Sequence, residues 1–104
     1  KPGGICILST NMSAPLHGEP HDYFRFTKHG LKYLFKDFSK IESLEENGGA
    51  LLSIGQYIVW GIKEKLPRFL SLPLIVSLNF ILKKLDKIFY DPRFTTNYVI
   101  VARK

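Results

Sequence analysis

Between residues 17 and 25 the chain carries His17, His21, Asp22, Tyr23 and Arg25 in one irregular stretch, with Asn11 shortly upstream. An imidazole is the side chain best suited to take up a proton near neutral pH, so His17 and His21 are the candidate catalytic bases. Asn11, Asp22, Tyr23 and Arg25 offer hydrogen-bonding groups that can orient a polar substrate, and they are the candidate substrate-binding residues. Each has a plainer alternative. The histidines can be solvated loop residues, Asp22 and Arg25 can form an ion pair that fixes the loop, and Tyr23, Phe24 and Phe26 can be packing anchors. His17 and His21 are spaced as a metal pair would be, but no third ligand accompanies them, so no metal is expected.

These residues need a frame to hold them. Gly3-Gly4 reads as a tight turn, and the continuous apolar run Ile5-Cys6-Ile7-Leu8 reads as a short, fully buried strand. From Ser9 to Phe26 the breakers Asn11, Ser13, Pro15, Gly18 and Pro20 impose a loop. Its length, about 15 residues or more, is one that compact domains usually reserve for function. Thr27 is placed to cap a helix, whose apolar face is Leu31, Leu34, Phe35 and Phe38, with Lys28, Lys32 and Lys36 opposite. Lys40 to Glu45 alternates as a half-buried strand does, and Asn47-Gly48-Gly49 ends it.

From Ala50 to Tyr90 the pattern is helical: Leu51 to Ile62, a break around Pro67, then Pro73 to Tyr90 with Pro73 in a first helical turn. The uncharged run between Arg68 and Lys83 is 14 residues, short of the roughly 20 a bilayer span requires. Tyr98-Val99-Ile100-Val101-Ala102 is a β-branched strand near the chain's end.

At 104 residues, 45% hydrophobic and 23% charged, the chain has the balance of a folded domain or a piece of one, not of a disordered segment. The formal charge of +6 is spread along solvated helix faces and not gathered into a nucleic-acid motif, so no nucleic-acid partner is expected. Cys6 is the one cysteine, which excludes an internal disulfide; a buried, inert thiol in a cytoplasmic setting is the expectation. A chain that opens on the turn Lys1-Pro2-Gly3-Gly4 and passes straight into a strand suggests a portion of something longer.

Four pieces in order carry a family resemblance: Lys1-Pro2-Gly3-Gly4 running into Ile5 to Thr10; His17 through Asp22-Tyr23-Phe24-Arg25-Phe26-Thr27; Gly30-Leu31 to Phe38; and Asn97 to Lys104. Together they resemble the C-terminal half of the class I S-adenosylmethionine-dependent methyltransferases. The resemblance implies an α/β fold, the C-terminal portion of a Rossmann-like sheet. Its fifth, sixth and seventh strands would be Ile5 to Thr10, Lys40 to Glu45 and Tyr98 to Ala102. The seventh would lie antiparallel between the other two, and a helical insert at about residues 50–90 would precede it. Residues 1–104 would then be part of one methyltransferase domain whose N-terminal, cofactor-binding half is absent. In this fold S-adenosylmethionine is held mainly by a glycine-rich turn and an acidic residue that this chain lacks, so no cofactor-binding residue is expected in it.

The function so implied is methyl transfer from S-adenosylmethionine to a small or lipid-linked acceptor, with this chain supplying the acceptor side and inactive alone. The alternative is a non-catalytic interaction module that docks a partner through its open sheet edge or its helices. Tyr57, Trp60, Phe69 and Phe80 beside Lys63, Lys65, Lys83, Lys84 and Lys87 also suit peripheral membrane contact through residues 51–90.

Overall fold

A computed structural model describes all 104 residues. In chain order the elements are β1 (Ile5–Asn11), α1 (Lys28–Leu34), β2 (Lys40–Asn47), α2 (Ala50–Lys65), α3 (Arg68–Ile88), a 3₁₀ turn at Pro92–Phe94, and β3 (Asn97–Arg103). The three strands form one antiparallel sheet in the order β1-β3-β2, with the last strand between the first two. The fold is thus mixed α/β. Each expected strand is present and one to three residues longer than its sequence signal.

Register explains the core. Cys6 lies opposite Ala102 and Leu8 opposite Ile100 on one side of β3, while Ile41 and Leu44 face the same two residues from the other side. These residues share one sheet face, and α1 lies on it: Leu31, Phe35, Tyr98, Ile100 and Ala102 make the buried cluster, with Met12, Phe26 and Phe38 packed around it. Thr27 does cap α1, its hydroxyl accepting the Gly30 amide at 3.1 Å. Leu34, expected on the buried face, is 52% exposed. The helix ends there, and its inward row runs through Leu31 and Phe35.

β1 is not the fully buried strand expected from its unbroken apolar run. It lies at the sheet's edge, and only α1 covers the sheet, so Ile5 and Ile7 on the opposite face are 58% and 71% exposed. For the same reason Cys6 is half-buried against the core and not sealed within it.

Gly48, at φ +79°, turns the chain from β2 into α2, a backbone conformation that L side chains adopt with strain. α2 and α3 form a hairpin that breaks at Leu66-Pro67. Helix α3 starts at Arg68, so Pro73 falls inside it and not in its first turn as expected. Pro67 supplies the stop instead, holding the extended backbone (φ −61°, ψ 147°) that precedes the helix. At Pro73 the missing N–H leaves one helical hydrogen bond unmade, a cost borne by a helix of 21 residues. The hairpin closes on itself, where Gly55 lets Leu82 approach its Cα within less than a side chain's width. It stands away from the sheet: the radius of gyration is 16.4 Å, against about 13 Å for a compact domain of this length.

Candidate functional site

β1 and β2 run parallel to one another on either side of β3, so their carboxyl ends meet at the same edge, where Asn11, Asn97 and Asn47 stand in one row. In open α/β sheets that edge is where ligands gather. The 12–27 loop leaves from it, returns through the Phe26 amide to the Asn11 carbonyl at 3.4 Å, and opens α1.

Within the loop Asp22 is the organising residue. Its carboxylate receives both terminal nitrogens of Arg25, one at 2.7 Å, and the His17 backbone amide at 3.0 Å. Arg25 also donates to the Pro15 carbonyl at 3.3 Å and the Phe24 carbonyl at 3.2 Å. The Arg25 hydrogen bonds, followed by the His17 amide, hold the Asp22 carboxyl well below the usual carboxylate range, and Asp22 in turn raises Arg25. The pair therefore fixes the loop, with every charge-assisted bond directed at the chain itself.

His17 is held in a way that assigns its protons. Its Nδ1 lies 2.8 Å from the Pro15 carbonyl, which can only accept. In the neutral ring Nδ1 therefore carries the hydrogen and Nε2 keeps its lone pair. The same Nδ1 is 3.8 Å from the Asp22 carboxylate, and the ring sits 6.1 Å from that of Trp60 on α2. Ser13 joins the loop to the same helix through the Tyr57 hydroxyl at 3.1 Å. His21 pairs instead with Tyr23, Nδ1 to hydroxyl at 2.9 Å, on the exposed outer side of the loop.

The structure thus gathers His17, Asp22 and Arg25 into one cluster, sets His21 and Tyr23 in another, and leaves Asn11 at the strand end. None of the six lines the groove that opens at the same sheet edge. That groove, about 360 Å³, is lined by Met12, Thr27, Lys28, Glu46, Arg93 and Tyr98 together with His29 and Pro92. Lys28 and Glu46 form an ion pair across it at 2.5 Å, which raises the Lys28 pKa. Sequence reasoning missed these residues. By its spacing Lys28 falls on the solvated side of α1, and Glu46 lies one residue beyond the expected strand. The one available signal was the alternation Leu44-Glu45-Glu46, which carries Glu46 to the same face as Leu44.

No cluster of three or more metal-ligating side chains forms. Gly48-Gly49 is the one place where a strand passes through glycines into a helix, the arrangement that elsewhere cradles phosphates and dinucleotides. Here the amides at that helix start are already taken. The Asp86 carboxylate, on α3, accepts from Gly49 at 2.8 Å, Leu51 at 3.0 Å and Leu52 at 3.3 Å. Those three amides are therefore not available to a ligand.

No family model, no curated protein and no solved structure matches this chain.

Proposed function

We propose that this chain is the acceptor-side portion of a class I S-adenosylmethionine-dependent methyltransferase, acting on a small or lipid-linked acceptor. The observation that carries the reading is the sheet order, with the chain's last strand antiparallel between two strands that are parallel to each other. That arrangement fits strands five, seven and six of the Rossmann-like methyltransferase sheet, with α1 on one face and the hairpin of α2 and α3 as the insert before the last strand. The Asp22-Tyr23-Phe24-Arg25-Phe26-Thr27 loop then leaves the carboxyl end of the fifth strand, on the reactive side.

In this reading His17 is the base that takes the acceptor's proton at Nε2, since Pro15 and Asp22 engage its other nitrogen. Asp22 and Arg25 position it, Tyr23 and His21 form the outer rim, and Asn11 stands at the strand end. In this reading the cofactor is held mainly by residues outside this chain, and the amides of the glycine turn present here bond to Asp86 instead.

The test is calorimetry with S-adenosylmethionine on the 104-residue chain and on the in-frame product of the sequence upstream of Lys1. Binding to the longer product alone supports the reading. Tight binding to the 104 residues alone, or an upstream sequence lacking a buried strand and glycine-rich turn, overturns it.

A second reading rests on the open face of the sheet. Ile5 and Ile7, both more than half exposed on an edge strand, suit a non-catalytic module that pairs with another chain through β1.

A further inference from the structure

The outward side of α3 is an apolar surface that the fold leaves uncovered. Ser71, Leu82 and Asp86 turn toward α2. At 3.6 residues per turn, Phe69, Leu72, Val76 and Phe80 fall in a row away from that side, with Leu72 at its margin beside the groove toward Val59 of α2. Their exposures of 76%, 57%, 60% and 61% show that nothing in the chain covers them. The same row continues into Lys83 and Lys87, and Lys84 reaches back over the Phe80 ring at 4.4 Å.

Charge is arranged around this row and kept out of it. Residues 69–82 carry none, while Lys63, Lys65 and Arg68 stand before them and Lys83, Lys84 and Lys87 after. The acids of the hairpin are Glu64 and Asp86, and Asp86 is spent internally on the start of α2. An apolar row closed at both ends by cations matches the boundary between acyl chains and anionic headgroups. A second copy of the chain would set the same cations against themselves. No helix is long and apolar enough to cross a membrane, so the geometry that remains is a helix lying in the surface plane.

We infer that α3 docks the protein, outward side down, on an anionic lipid surface. The surface is independent of any methyl transfer, and it directs the protein toward substrates presented at that boundary.

The test is co-sedimentation of the 104-residue chain with phosphatidylcholine vesicles, alone or mixed with phosphatidylglycerol. The chain is expected to bind the mixed vesicles at least about tenfold more tightly, and to be released as salt screens the headgroups. Phe80→Asp should abolish binding with an unchanged circular dichroism spectrum. The double change Lys83→Glu and Lys87→Glu, on exposed side chains, should weaken it by at least about tenfold. Equal affinity for both vesicle types, binding to neither, or retention of binding by both variants would overturn the inference. So would sedimentation velocity that shows a dimer dissociated by Phe80→Asp, which would make the face a contact between copies.

Discussion

The Asp86 carboxylate, near the end of α3, receives the Gly49 amide at 2.8 Å and so caps the start of α2 from across the hairpin. Gly49 itself has no side chain to cap the helix, and the Leu51 and Leu52 amides turn to Asp86 as well. One buried carboxylate therefore satisfies three of the donors that every helix start leaves open. Asp86→Ala should lower stability by about 2 kcal/mol, while Asp86→Asn, which keeps one acceptor, should lose less. Urea unfolding followed at 222 nm measures both, and an unchanged midpoint for Asp86→Ala would remove the capping role.

The contact between Gly55 and Leu82 sets how closely the two helices pack. A side chain at residue 55 collides with the Leu82 side chain, so Gly55→Val should cost roughly 1–3 kcal/mol. Adding Leu82→Ala should return part of that loss, because the cavity one change makes is filled by the other. Additive losses in the double variant would show that the two residues do not share the space.

Leu31 is wholly buried between α1 and the sheet. Leu31→Ala should destabilise the chain by about 3 kcal/mol, and Thr27→Ala, which deletes the cap beside it, by about 1 kcal/mol. The ranking is the content of the prediction. A larger loss from the cap than from the core residue, in chemical denaturation, would contradict the packing described.

Asp22 gives a pH dependence with a defined sign. Its folded pKa is lowered, by Arg25 first and the His17 amide second. A carboxylate lowered in the folded state contributes stability that is complete above its unfolded value of about 3.9 and is lost as pH falls toward the folded value. Carbon-13 NMR should show Asp22 titrating below the ordinary aspartate range, and Arg25→Met should return it toward about 3.9. Identical midpoints in the two proteins would mean that the pair does not form in solution. Glu42 is lowered in the same direction by Arg103 and Lys40.

For catalysis, the prediction concerns a longer protein that includes this chain and shows methyl transfer. His17→Ala should reduce its rate by roughly 10²-fold or more, while His21→Ala, on the outer rim, should have a smaller effect. Equal rates for His17→Ala and the parent would transfer the base role away from this loop.

Local signals carried much of the frame. The β-branched run near the chain's end, the alternation after Lys40 and the threonine before an apolar helical row are each written within a few neighbouring residues, and each marks an observed element, although α1 ends at Leu34, short of the Phe38 expected. The break around Pro67 in the helical sequence was legible as well, although α3 begins directly after Pro67 and not at Pro73. Two prolines six residues apart compete for the first turn, and in the structure the helix starts after the first, at Arg68, with Ser71 already buried in it.

The candidate site was legible as a set of residue types and not as an arrangement. That His17, Asp22 and Arg25 meet, that His21 faces away with Tyr23, and that Lys28, Glu46 and Tyr98 build a separate groove all depend on the loop's return to Asn11 and on strand register. By itself the sequence determined which segments are strands and helices, because backbone preference and apolar period act over a few residues. The tertiary structure alone decided which apolar faces stay open. Whether Ile7 or Phe80 is covered depends on what stands opposite in space, and in this chain a single helix covers one face of the sheet while α3 packs on α2 with only part of its circumference.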